Sequence, residues 1–162
     1  MSMIGYYFPA DDDMVQSMKE GGSGELMFGE AHQDELVSID KAWHAIHYVL
    51  TGEVWEVPED NILAQLILGG EPVNDEDMGY GPARLIPKEI VSRLSTAMEK
   101  WDMEKFRARF DIKDMIENEI YPVMSDEDEE IFFQYVWENF DALKQFFKET
   151  AEKGLNMLTF LG

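Results

Sequence analysis

Apolar residues recur along this chain at two spacings, and the change between them divides it into elements. Residues 3–8, Met-Ile-Gly-Tyr-Tyr-Phe, form a short aromatic run closed by Pro9, which is strand composition. Asp11 stands where it can cap a short helix through Met18, with Asp12 and Asp13 set favourably against the helix dipole. Gly21-Gly22-Ser23-Gly24 then breaks the chain in a surface loop. From Ser38 the period lengthens. Ile39, Trp43, Ile46, Val49 and Leu50 recur at threes and fours, which predicts a helix with Asp40 as its cap and Gly52 as its stop. A second helix is expected over 60–68, ending at Gly69-Gly70, followed by an acidic, glycine-containing loop over 71–82.

Arg84-Leu85-Ile86 has the composition of a short strand before Pro87, a residue suited to the first turn of a helix. That helix would bury Ile90, Val91, Leu94, Ala97, Met98 and Trp101. Asp102 and Asp111 are placed to cap two short helices, and Ile120-Tyr121-Pro122 ends that run. The longest element is expected from Ser125 to about Lys153, on a stripe of Phe132, Val136, Phe140, Leu143 and Phe147. Gly154 stops it, and 155–161 is a strand that could pair with the first. The pattern predicts a helix-rich α+β fold, a single domain over 1–162. About six or seven helices would surround a small sheet that includes the N- and C-terminal strands.

Four segments carry a resemblance to a known family. They are Met-Ile-Gly-Tyr at 3–6, Ile-Asp-Lys-Ala-Trp-His-Ala-Ile-His-Tyr-Val-Leu-Thr-Gly at 39–52, Ile-Leu-Gly-Gly-Glu at 67–71 and Ile-Tyr-Pro at 120–122. Together, and in this order, they resemble the YfbM-like family, a bacterial domain of unknown function. The 39–52 segment is the most specific, and the resemblance spans essentially the whole chain. It implies a small α+β, cytoplasmic bacterial protein and brings no established activity, cofactor or catalytic residue.

Composition narrows the chemistry. The 162 residues are 45% hydrophobic, so a chain of this length can build a core without a metal or disulfide staple. There is no cysteine, which removes disulfides, thiol nucleophiles and thiolate metal sites and fits a reducing, cytoplasmic setting. No leader and no membrane-length apolar run is seen. Thirty-four acidic residues against 13 basic ones give a net charge of −21. A field of that sign repels phosphate and anionic lipid, so neither nucleic acid nor membrane is expected as a partner. It suits a basic protein, or simply solubility.

Three clusters are candidates for chemistry. Asp40, His44 and His47 lie at i, i+4 and i+7 of one helix, where two imidazoles and a carboxylate could ligate a divalent metal or act as base and orienting group. Against that, Asp40 is wanted as the cap, core-like residues surround the histidines, and no metalloenzyme spacing is matched, so no metal or cofactor is expected. His32, in an expected loop, adds little. Tyr80, Arg84, Lys41 and Tyr121 could form an anion-binding rim, Arg84 supplying a fork that matches carboxylate or phosphate. The structural alternative is an ion-paired Arg84 and a Tyr80 packed in a turn. The run Asp126 to Glu130 lacks the spacing of an EF-hand and reads as a helix start.

The resulting expectation is a non-enzymatic protein-binding module for a basic partner, of which an immunity-type antagonist is one form. The alternative is a small-molecule or metal-dependent enzyme using His44, His47 and Asp40. A homotypic interface made by exposed aromatic residues is a third possibility.

Overall fold

The computed structural model of the chain describes residues 2–22 and 35–162, so Ser23, Gly24 and His32 lie outside the described residues. In chain order the strands are β1 (Gly5–Ala10), β2 (Val37–Ser38), β3 (Glu71–Asp77), β4 (Pro82–Ile86) and β5 (Asn156–Leu161). They form one sheet in the order β2-β1-β5-β4-β3, with every pairing antiparallel. The two ends of the described chain thus meet at its centre. Gly5 faces Leu161 and Ala10 faces Asn156, and Ile4 and Gly162 exchange both backbone hydrogen bonds at 2.9 Å.

Strand alternation divides the apolar residues between two faces. Tyr7, Ile86 and Met157 join a large core, and Phe8, Ala10, Leu158 and Phe160 join a smaller one on the opposite side. Val15 and Met18 of α1 (Asp12–Lys19) cover the smaller side. The larger side lies under α2 (Trp43–Thr51), α3 (Lys88–Glu99) and α6 (Glu129–Glu152), with α4 (Met103–Ala108) and α5 (Ile112–Glu117) between the last two in sequence. The stripe expected for the long helix is its buried face: Phe132, Val136, Phe140, Leu143 and Phe147 are all in the core. Each buried phenylalanine contributes about 1.5–3 kcal/mol relative to exposure.

Four helix starts follow the same rule, a side-chain oxygen accepting a free N–H of the first turn. Asp11 accepts from Met14, Asp102 from Lys105 and Asp111 from Asp114, as expected. For α6 the cap is Asp128, accepting from Ile131 at 3.0 Å, and not Ser125. Where several carboxylates follow one another, any of them can cap, so the packing of Phe132 decides the start.

Three other expectations change. Residues 60–68 hold only a 3₁₀ turn, Ile62–Gln65, capped by Asn61, because no long amphipathic stripe is available to pack. The acidic stretch 71–82 is largely strand: β3 runs along the sheet edge with only Val73 buried, and its register on β4 slips between Pro72 and Asp77. Exposed carboxylates on an edge strand discourage a further strand from adding there. Finally, β1 continues through Pro9 to Ala10. β2 covers only Tyr6 and Tyr7, so Pro9 occupies an edge position, where a missing N–H is tolerated.

Candidate functional site

Asp40 does not cap the helix. It opens a 3₁₀ turn, Asp40–Ala42, with its backbone at φ +50°, and its own N–H is donated to Ser38 Oγ at 3.0 Å. Neither that turn nor α2 has a side-chain cap. A left-handed conformation in a non-glycine residue costs about 1–2 kcal/mol, and aspartate is among the few residues that adopt it.

The next helical turn carries both histidines, and both rings are fully buried. His44 Nε2–H donates to the Val54 carbonyl at 2.8 Å, while Nδ1 accepts the Tyr121 N–H at 2.9 Å. The two bonds together require the neutral Nε2–H tautomer. The ring lies between Trp43 and Trp55, with centroids at 5.2 and 4.1 Å. His47 Nε2–H donates to the Glu56 carbonyl at 3.0 Å, and its buried Nδ1 has no partner among the described residues. Burial pulls both imidazoles below the ordinary histidine pKa. For His44 the Val54 carbonyl opposes the shift, and for His47 the Glu56 carbonyl and charge do so.

These rings are therefore straps for residues 54–56 and 121, and they do not converge with Asp40, which is exposed. Among the described residues no group of three or more histidine, aspartate or glutamate side chains is placed to hold a metal ion. The Asp40–His44–His47 cluster expected from spacing is corrected on this point. A shared helix face is not a shared cleft when the face is turned into the core.

The rim of Tyr80, Arg84, Lys41 and Tyr121 is also separated. Arg84 donates to the carbonyls of Ile67 (2.7 Å) and Gly69 (2.9 Å), stitching the 67–69 turn to β4, and among the described residues it has no carboxylate partner. Tyr80 sits in the β3–β4 turn, its N–H on Leu161 O and its ring partly exposed. The glycines beside it serve that turn: Gly79 has φ +133°, and a Cβ there would meet Gly162 Cα at 2.8 Å. Tyr121 stacks on Trp43 at 5.5 Å and accepts the Met3 N–H on its hydroxyl, while Trp43 Nε1 donates to Met3 O.

What the fold does assemble is a groove of about 330 Å³ between the Asp40–Ala42 turn and the start of α6, with Asp40, Lys41, Pro122, Glu127, Ile131 and Tyr135 on its walls. Of the four rim residues it takes only Lys41. Tyr135 accepts the Lys41 N–H at 2.8 Å, and burial pushes its hydroxyl up to about 12, with the Asp40 carboxylate acting in the same sense. Of its lining residues Ile131 is 70% exposed, and Met124, 64% exposed, stands in the turn before α6, where its carbonyl accepts the Glu127 N–H. Nothing in the local sequence around 40 or 131 signals this place, because its walls come from segments about 90 residues apart.

The family model described as Domain of unknown function (DUF1877) matches residues 1–160. The chain belongs to that family. The resemblance carried by the segments at 3–6, 39–52, 67–71 and 120–122 is thereby borne out. Among DUF1877 relatives, Protein YfbM of Escherichia coli (strain K12) is 26% identical over 169 residues, covering 99% of each chain. The crystal structure of a protein of unknown function, YfbM from Escherichia coli, matches with a TM-score of 0.76 at 24% identity, over 99% of this chain and 100% of that one. The likeness establishes the DUF1877 fold as the helix-rich α+β arrangement described above. It assigns no activity to any residue of the groove.

Proposed function

We propose that this DUF1877 protein is a non-enzymatic binding module that engages a basic partner protein through its acidic surface, in the cytoplasm. The supporting observation is how its cations are used. Arg84 is engaged by backbone carbonyls, and Lys144 donates to Trp101 O beneath the Trp137 and Phe140 rings. Lys105 lies over Trp101, and Arg107 lies over Phe133 while also pairing with Glu130. Several of the 13 basic groups thus serve rings and carbonyls, and the excess of 34 carboxylates over those 13 sets a negative surface potential. An antagonist of a basic toxin is one role of this kind.

The enclosure of His44 and His47, whose Nε2 groups donate to backbone carbonyls, favours this reading over the enzymatic alternative. Affinity capture from the source organism at rising ionic strength tests the proposal. A basic protein released as salt rises from about 0.05 to about 0.5 M, a range over which the Debye length shortens about threefold, supports it. Retention indifferent to salt, or no captured protein, counts against it.

A further inference from the structure

The shape and rim of the groove beside Asp40 specify more than a general negative field. Its floor is apolar, made by Phe132, Pro122 and the ring of Tyr135, and Ile131 stands unpartnered on its lip. Exposed apolar side chains scattered singly mean little. Here Ile131 lines a depression together with Phe132, Pro122 and Tyr135, and the exposed Met124 lies in the turn whose Glu127 is also on its walls. Carboxylates lie beside this apolar strip. Asp40 and Glu127 are on the walls, and Asp126, Asp128 and Glu129 are exposed neighbours of Glu127 in sequence, while Glu130 pairs with Arg107. Lys41 is the cation within the walls, and its backbone N–H is held by Tyr135.

We infer that this groove is the docking site for a basic amphipathic segment of a partner protein, with one apolar side chain seated against Ile131 and Phe132 and flanking lysines or arginines facing Asp40, Glu127 and the acidic run. The inference rests on the basic-partner reading and adds the place and the need for an apolar anchor. Charge complementarity selects the occupant. An acidic segment, or a second copy of this −21 chain, would meet like charge beside the strip. Apolar anchors at the centre of such strips carry most of the affinity, while rim charges set the rate and salt dependence of association.

The test uses the full chain and two synthetic probes, an amphipathic lysine–leucine helix and the same peptide with serine replacing every leucine. Titration by calorimetry is combined with amide-shift mapping. Ile131→Gln is the informative variant. It removes the anchor contact at the third position of α6, where glutamine after the Asp128 cap is accepted, so the helix start is kept. The lysine–leucine probe should bind with shifts centred on Asp40, Lys41, Ile131 and Tyr135. Affinity should fall about tenfold or more in Ile131→Gln, as for a central anchor. It should be unchanged in Met103→Gln, an exposed apolar control on α4, and Glu127→Gln should flatten the salt dependence.

Equal binding of both peptides, with Ile131→Gln behaving as wild type, overturns the groove while leaving the electrostatic reading standing. Binding of neither peptide, together with no salt-sensitive partner in the capture experiment, overturns both. Dimerisation of the chain alone, abolished by Ile131→Gln, would assign the strip to a second copy and overturn the basic-segment assignment.

Discussion

His44 and His47 look alike in the sequence and differ in what their ring nitrogens do. His44 satisfies two backbone groups, while His47 satisfies one and leaves Nδ1 without a partner among the described residues. His44→Ala strands the Val54 carbonyl and the Tyr121 N–H, so it should cost about 3 kcal/mol, while His47→Leu should cost about 1 kcal/mol in urea denaturation. Both folded-state pKa values lie below that of the unfolded chain, so the unfolded state takes up protons first as pH falls. The stability these neutral rings confer is complete above about pH 6.5 and declines below it, by up to about 1.4 kcal/mol per pH unit for each ring. Melting curves between pH 7.5 and 5.5 should show this loss, and the His44→Gln/His47→Gln pair should be less steep. A wild-type slope no greater than the pair's would mean that the rings do not titrate on unfolding. Asp40 gives a further test at this scale: with φ at +50°, Asp40→Gly should be neutral or stabilise by about 0.5 kcal/mol, whereas Asp40→Ala should destabilise.

At the scale of elements, the start of α6 separates two carboxylate-rich possibilities by experiment. Asp128→Ala should lower stability by about 1 kcal/mol and Ser125→Ala by almost nothing; the reverse order would put the cap where sequence spacing alone places it. The elements legible in the sequence are those whose own residues bury a face. The stripe from Phe132 to Phe147, the face of α3 and the Asp11, Asp102 and Asp111 caps all follow from local spacing. β3 is hidden because its strand character is supplied by β4: on its own, Glu-Pro-Val-Asn-Asp-Glu-Asp has one buried position and reads as loop. The candidate site was half legible. Asp40 and Lys41 do line the groove, and Tyr121 does meet His44, but whether a helix face meets a cleft or a core depends on what packs on it. Here residues 54–56 and 121 close over the histidines. Ile131, Glu127 and Tyr135 carry no local signal, since Tyr135 reaches the groove only through its contact with Lys41.

For the molecule as a whole, charge and packing act in opposite directions. Self-repulsion among carboxylates at −21 destabilises the compact state, and salt screens it. The melting temperature should therefore rise by roughly a few degrees between 0.02 and 0.2 M sodium chloride. A fall would mean that attractive pairs dominate, contrary to a surface on which several cations are engaged by rings and carbonyls.

The central pairing of β1 with β5 also has a consequence in time. Asn156 bonds the carbonyl of Ala10 across 146 residues, and among the described residues β1 has no long partner other than β5. At ordinary translation rates of roughly 5–20 residues per second, a ribosome needs on the order of 10 seconds to make that intervening chain. During this interval the Tyr-Tyr-Phe strand has only the two-residue β2 to pair with, and the helices made meanwhile have no completed sheet to cover. The nascent chain thus presents an aromatic, apolar strand first and completes its pairing last. Joining residue 162 to residue 2 and opening the chain in an exposed loop would reverse that order while keeping every contact of the sheet.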